Sequence, residues 1–460
     1  MIVKKVNDTV MCEYLYNVTT RCNCRCKHCV PKVYAGKNQE LTSKKMIELY
    51  EKSKYLKGNT VNIGGGEPFV KEDLEDFVLY LDKNKIPCVI STNGWFTEKV
   101  IHLVEQLEDN KTVRFSISID GTEERHDEIR RCKGIYKRAM ETLKALKERN
   151  FDVQVNIVVQ KDNVSSLGEF DKIFKALNVP VAYIPEVFVS GDEFNFTPDD
   201  IREIFKYVTY PRGRKYLLSQ GKFVITNCHA GNNSWHVDSN GDVYACCGGF
   251  YRDDSEKFII GNLVDDDFDT IFMSKRKQQV YEEVVKNCSG CLMVRDVERE
   301  VSVFGLDVSY TKDEVAVLKD DLSNISYLND FSVDGTEWHL LENDNSGKSF
   351  RWMKKKKARV FLNVQKVKGK KISFNILNIC PTGDSEEKIE LKVKVDGKEL
   401  GMSKCKSGES TITFKIPSSW KIKDLIEVEL EVSRLWSPSE YVESTDTRKL
   451  GIGVYSVQVE

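Results

Sequence analysis

Cys22, Cys26 and Cys29 stand in a C-x3-C-x2-C spacing just after an apolar, strand-like run, with Cys24 inside the same stretch. Three thiolates on one short loop hold three irons of a cubane iron–sulfur cluster and leave one iron open to a ligand that is not protein. A zinc site closes with a fourth ligand nearby, and Cys24 keeps that alternative open, as does a set of reduced surface thiols. A second constellation lies downstream: Cys228, then Cys246 and Cys247, then the C-x2-C pair Cys288 and Cys291. Four of these thiolates saturate one further cluster or one zinc, and the spacing favours Cys246 over Cys247 as the ligand.

Elements must position these thiols. From residue 13 onward, β-branched runs alternate with amphipathic segments, the pattern of βα units around a parallel sheet. Strands are expected at 14–18, 60–63, 87–91, 113–117, 153–158 and 181–188, with helices near 42–57, 71–84, 97–109, 134–149 and 164–177. Six such units make a partial, TIM-like (β/α)6 barrel of the α/β class, in which chemistry gathers at strand ends. Each remaining motif falls at such an end. Gly64-Gly65-Gly66-Glu67-Pro68 follows the second strand. Its glycines let backbone approach a small ligand, and Glu67 can accept from an ammonium group, although a glycine turn is also a plain loop. Ser91 and Asn93 follow the third strand and Ser118 the fourth, residue types that bond ligands or cap helices. Arg130 offers a fork that matches a carboxylate, whereas Arg131 reads as solvated charge. Glu186, ending the last barrel strand, is a general-base candidate or a loop anchor.

Cys22, Cys26 and Cys29 with the Gly-Gly-Glu-Pro stretch and the polar residues after successive strands resemble the radical S-adenosylmethionine (radical SAM) superfamily. The resemblance implies that SAM chelates the open iron of a 4Fe-4S cluster. An electron from the cluster then cleaves SAM to methionine and a 5′-deoxyadenosyl radical, which takes a hydrogen atom from substrate. It further implies that Gly65, Gly66, Glu67 and Pro68 engage the SAM amino group, and Ser91, Asn93 and Ser118 its ribose and carboxylate. Arg130 pairs with the carboxylate, and Asn156 and Val158 touch adenine. His28 stands where relatives carry a larger aromatic, and its ring titrates. Cys228, Cys246, Cys288 and Cys291 resemble the twitch variant of the SPASM extension, implying one auxiliary 4Fe-4S cluster. Cys247 then either packs in the core or donates a hydrogen atom to a substrate radical.

From about 325 the chain reads as short alternating strands, for example 358–364, 371–377, 389–395, 411–416 and 426–432, with turns such as Asp396-Gly397. A two-sheet sandwich follows from that pattern. Its end, Asp446-Thr447-Arg448-Lys449-Leu450-Gly451-Ile452, with Trp338, Trp352 and Trp436, resembles a module attached to bacterial surface-polysaccharide enzymes. Such tryptophans stack on sugars or fill the core. Lys354 to Lys357 reads as a charged edge that discourages strand pairing. The expected domains are 1–215 for the barrel, 216–310 for a small α+β twitch domain and 316–460 for the all-β sandwich.

Charge is nearly balanced, 69 basic against 71 acidic residues, which argues against a nucleic-acid partner. No apolar run suits a signal peptide or a membrane span, and clustered thiols in a reducing compartment mean metal, so a cytoplasmic protein is expected. The functional expectation is oxidation or epimerisation of a small-molecule sugar or cyclitol derivative. An electron donor such as flavodoxin or ferredoxin is the expected partner. The alternatives are a peptide- or protein-modifying maturase and a non-catalytic carbohydrate-binding protein.

Overall fold

The computed structural model describes residues 4–6, 9–11, 13–29, 40–56, 60–186, 194–208, 211–221, 231, 234–288, 337–339, 342–363, 371–381, 389–420, 425–441 and 444–459. By internal packing the chain forms two units, Met1–Phe196 with Gln220–Gly305, and Thr197–Ser219 with Leu306–Glu460.

In the first unit a short ribbon, β1 (Lys4–Val6) and β2 (Thr9–Met11), precedes the barrel. The barrel strands are β3 (Glu13–Asn17), β4 (Thr60–Gly64), β5 (Cys88–Thr92), β6 (Val113–Ser118), β7 (Asp152–Val159) and β8 (Val181–Pro185). Between them run α1 (Ser43–Lys52), α2 (Leu74–Lys83), α3 (Thr97–Val104), α4 (Glu123–Arg130), α5 (Ile135–Glu148) and α6 (Leu167–Ala176). All six strands pair in parallel in sequence order, as the alternating pattern predicts. Helices cap as their sequences suggest: Thr42 accepts from the Lys45 amide at the start of α1. Along β7 the odd-numbered residues Val153, Val155, Ile157 and Val159 are buried, while Gln154, Asn156 and Val158 are half-buried on the other face. That period of two sorts an apolar outer layer from a polar inner face.

The sheet does not end at β3. Strand β9 (Ser234–Val237) pairs in parallel with it, in a register that sets His236 opposite Leu15. Antiparallel β10 (Asp242–Tyr244) and β11 (Ile259–Asn262) then extend the sheet, giving the order β11-β10-β9-β3-β4-β5-β6-β7-β8. The second cysteine region is therefore built onto the barrel sheet through the hairpin expected at 239–242. Trp235 of β9 stacks on Phe268, its ring 5.8 Å away, and fixes the short helix α10 (Phe268–Met273) that precedes α11 (Lys275–Val280).

The second unit holds α7 (Pro198–Ile204) and α8 (Pro211–Leu218), so 197–219 group with the C-terminal part and not with the barrel. A capping box at Thr197 and Asp200 starts α7. The remainder is two antiparallel sheets. One contains β14 (Lys357–Asn363), β16 (Glu390–Val395), β17 (Lys398–Lys404) and β19 (Leu425–Val432), in the order β14-β19-β16-β17. The other contains β12 (Glu342–Asn343), β13 (Ser349–Trp352), β15 (Lys371–Asn378), β18 (Gly408–Lys415) and β20 (Gly453–Val459), in the order β12-β13-β20-β15-β18. Asp396 and Gly397 both take positive φ, 47° and 76°, which is the hairpin geometry that an Asp-Gly pair permits. Strand β14, which begins at the last residue of the Lys354–Lys357 run, is an edge strand, as that charged run suggests. Trp338, Trp352 and Trp436 are at most 3% exposed and sit in the sandwich core. Their indole faces are spent on packing, and the Nε1 groups of Trp338 and Trp436 donate to the carbonyls of Arg359 and Gly451. No helix among the described residues is long and apolar enough to cross a membrane.

Candidate active site

The loop carrying Cys22, Cys26 and Cys29 leaves the C-terminal end of β3 and is fastened on two sides. On one side the Gly66 amide donates to Thr19 O and the Glu67 amide to Arg21 O, both at 2.8 Å. On the other, the Arg25 and Lys27 amides donate to the carbonyls of Arg130 and Ile129 at the end of α4. The first contact explains the glycines. A Cβ on Gly65 would lie 2.4 Å from Thr19 O, and one on Gly66 would lie 2.2 Å from Arg21 O. The close approach that these glycines permit is thus made, in this structure, by the thiol loop itself.

Glu67 is buried, and its carboxylate is occupied by protein donors. The Thr92 hydroxyl (2.7 Å) and Phe69 amide (3.1 Å) donate to Oε1, and the Asn93 amide (2.7 Å) to Oε2. Burial raises its pKa to about 7 against those bonds. Glu67 therefore ties the ends of β4 and β5 together. Pro68 opens the single turn that follows. The Asn93 side chain reaches back to the loop, its Nδ2 donating to Asn23 Oδ1 at 2.8 Å.

The parallel register brings several expected residues onto one face. Ser91 lies opposite Ser116, which lies opposite Gln154; one row further along, Ser118 lies opposite Asn156. Val158 follows two residues on, and Gln154 Nε2 donates to Asn156 Oδ1 at 2.9 Å. Ser91, Ser118, Asn156 and Val158 therefore share one polar surface, to which Ser116 and Gln154 also belong. Glu186 is half-buried just past β8, its amide donating to Val159 O at 3.0 Å.

Arg130 is buried, and its Nε donates to Asp120 Oδ2 at 2.6 Å. Its Nη1 lies 3.8 Å from Cys26 Sγ. Asp120 is fully buried, and its Oδ1 takes the Val158 amide at 3.0 Å. Burial would raise its pKa, yet the Arg130 guanidinium and neighbouring groups hold it below the usual carboxylate range. Asp120 thus fixes the fork expected to meet a carboxylate ligand. His28 is held by Gln160, whose Nε2 lies 3.0 Å from Nδ1, and burial lowers its pKa to about 4.

His126 is fully buried, and its Nδ1 accepts the Asp120 amide at 2.8 Å, so the neutral ring carries its proton on Nε2. Burial lowers its pKa to about 3 from the ordinary 6.5. Unfolding therefore takes up a proton below the ordinary value. The stability from neutral His126 is fully present above about pH 6.5 and falls towards pH 3, at up to about 1.4 kcal/mol per pH unit. Urea midpoints across that range should follow a steeper pH slope for wild type than for His126→Gln, by about one proton.

The thiols differ among themselves. Hydrogen bonds from the Cys24 thiol and amide lower Cys22 to about 6, whereas burial pushes Cys26 up to about 11. Cys24 is buried, and Cys132, past α4, packs in one group with Cys22, Cys24, Cys26, Cys29 and Trp95. In the second region, Cys246 is the N-cap of α9 (Cys247–Phe250), not a strand residue, and its Sγ accepts the Gly249 amide at 3.1 Å. Cys247 is buried as the first helical residue. Arg252 Nη1 is 4.0 Å from Cys288 Sγ. Cys228 and Cys291 lie outside the described residues. Cys29 and Cys246 pack against one aromatic group, Tyr244, Phe250 and Phe258.

Among the described residues, no three side chains of metal-binding type converge as they would around a single ion. A cubane asks for less, since each thiolate takes a different iron corner. Three thiols on one clamped loop, with an amide and a guanidinium beside the sulfurs, fit such a cluster.

The sequence pattern of the Radical SAM superfamily matches residues 16–170, and that of the iron-sulfur cluster-binding SPASM domain matches residues 228–292. The chain carries a radical SAM domain followed by a SPASM domain. The two domains imply a 4Fe-4S cluster, an auxiliary iron–sulfur cluster and S-adenosylmethionine. Mycofactocin maturase MftC of Mycolicibacterium smegmatis is 26% identical over 270 residues, 55% of this chain and 67% of its own length. The AdoMet-dependent heme synthase of Oleidesulfovibrio alaskensis is 32% identical over 166 residues, 35% of this chain and only 40% of that relative. Among solved structures, Streptococcus suis SuiB bound to S-adenosylmethionine superposes with a TM-score of 0.48 at 16% identity, covering 63% of this chain and 75% of its own.

In the radical SAM domain, sequence reasoning picked out the thiols, Glu67 and Arg130 but missed Asp120, Gln154 and Ser116. Asp120 had a signal, an Asp-Gly pair ending an apolar strand. Gln154 and Ser116 are found only through the register of β6 and β7.

Proposed function

We propose that this radical SAM enzyme is a maturase that modifies a peptide or protein substrate. The packing of Cys29 and Cys246 against one aromatic group supports an auxiliary region working beside the radical-generating loop, and the likeness to named maturases carries the reading of the substrate. Two features favour a peptide over the sugar or cyclitol expected from the sequence. Relatives over more than half of the chain are named maturases. The sandwich tryptophans, which could have stacked on a sugar, are buried.

Bound at the three thiols, the cluster supplies the electron that cleaves SAM. The chain's own part is positional. Arg130, fixed by Asp120, meets the SAM carboxylate; Ser91, Ser118, Asn156 and Val158 form the surface that receives the nucleoside. Asn93 orients the loop, and Glu186 at the rim takes a substrate proton. Cys228, Cys246, Cys288 and Cys291 hold the auxiliary cluster, and Cys247 serves as hydrogen-atom donor where the product requires one.

The reconstituted enzyme, given SAM, reductant and short peptides encoded beside its gene, should form 5′-deoxyadenosine together with a peptide of altered mass. Stimulation by nucleotide sugars alone would return the reading to carbohydrate chemistry. The assignment of Cys246 has its own test. Cys246→Ala should lower bound iron by up to about four per chain, whereas Cys247→Ala should leave it unchanged. Equal loss in both variants would refute the distinction.

A further inference from the structure

The SAM-site cluster needs an electron from outside the protein, and the surface around its loop is unevenly charged. Most exposed cations nearby are neutralised: Arg21 by Glu40, Lys27 by Glu128 and Asp162, Arg125 by Glu128, and Arg138 by Glu98 and Glu141. Arg131, Lys133 and Lys137 differ. All three are exposed, and none makes an ion pair among the described residues. They lie along one short stretch of chain, 131–137. Arg131, at φ 50°, turns the chain out of α4, and Cys132 beside it packs with Cys22, Cys24 and Cys26 while remaining partly exposed. Lys133 and Lys137 flank Ile135, which is buried in that same group. Asp127 beside them is held by the amides of Gly134 (2.5 Å) and Tyr136 (2.9 Å), and Glu123 and Glu169 lie close enough to Tyr136 to add to the rise that burial gives its pKa, yet none of these carboxylates pairs with the three cations. The formal charge of the whole chain is −2, so this patch does not reflect a general excess of cations.

We propose that Arg131, Lys133 and Lys137 form the docking surface for an acidic one-electron carrier protein, which hands its electron inward past Cys132 and Trp95. The inference rests on the radical SAM reading of the site. Unpaired rim charges act mainly on encounter rate, and they are screened by salt. Neutralised neighbours add little long-range field, so the three unpaired cations are the patch's source of positive potential.

The test uses the loaded full chain and two reductants, a reduced flavodoxin of strongly negative charge and photoreduced deazaflavin, which is small and neutral. Reduction of the SAM-site cluster is followed by its EPR signal. With flavodoxin, the triple variant Arg131→Glu, Lys133→Glu, Lys137→Glu should react at least about tenfold more slowly than wild type. The glutamine triple variant should fall between them, and the wild-type rate should drop as salt is raised. With deazaflavin all three proteins should be reduced alike. Equal flavodoxin rates, no reduction of wild type by flavodoxin, or a matching loss with deazaflavin would overturn the proposal. Tight duplex DNA binding at 0.15 M salt, lost in the variants, would also overturn it by assigning the patch to nucleic acid. Failure of the maturase reading is a separate outcome, since it leaves cluster reduction measurable and only peptide modification absent.

Discussion

Cys26→Ala should leave the chain folded and unable to form 5′-deoxyadenosine. Its thiol is buried beside the Arg130 guanidinium, and burial, against the guanidinium, pushes it up to about 11, so it is a poor surface nucleophile but a sheltered metal ligand. Removing one sulfur from a cluster held by three leaves it two anchors, and bound iron should fall from about eight per chain to about four, the auxiliary cluster remaining. The fold should survive because the loop is held by backbone bonds to Gly66, Glu67, Ile129 and Arg130, none of which uses the sulfur. Cys24→Ala is the informative companion. Cys24 is buried and contacts the Asn93 amide group at 3.7 Å, a packed position off the C-x3-C-x2-C pattern. It should keep full iron and full SAM cleavage. Iron analysis and product assay on both variants decide between a cluster and a four-thiol zinc site, since a zinc knuckle would lose its metal in either.

The parallel order of β3 to β8 was readable because each strand is a short apolar run, aromatic in β3 and containing β-branched residues in β4 to β8, set between amphipathic segments. The strand ends carry the motifs for the same reason: a polar residue after an apolar run marks where the sheet stops. What could not be read are relations between distant segments. Nothing local marks Ser234–Val237 as a neighbour of Glu13–Asn17; that pairing depends on tertiary register over more than two hundred residues. The glycines were read as making room for a ligand; the close approach to the backbone of Thr19 and Arg21 that they also permit was not readable. A turn shows that room is needed, not for whom. Likewise a tryptophan in an alternating strand serves equally as core or as platform, and only burial of Trp338, Trp352 and Trp436 separates the two.

Arg130→Met should be among the most damaging single substitutions in the barrel, costing about 3–5 kcal/mol, because it leaves Asp120 charged and buried without its partner. Asp120 also accepts the Val158 amide, and its carbonyl takes the Asn163 side chain at 2.9 Å, so the carboxylate joins the ends of β6 and β7 to the end of α4. The converse change, Asp120→Leu, strands the guanidinium instead and removes the acceptor for Val158. Each single variant therefore pays for an unpaired buried charge. In the double variant Arg130→Met, Asp120→Leu no charge is left buried, and the cost should fall well below the sum of the two, with a coupling of at least about 2 kcal/mol. Urea unfolding of the four proteins at pH 7 measures that coupling; additive single costs would show that the pair does not act as a unit. SAM binding should not recover with stability. Both the double variant and Arg130→Met lack the fork beside Cys26, so a stable but SAM-blind double variant is the result that separates the residue's structural role from its binding role.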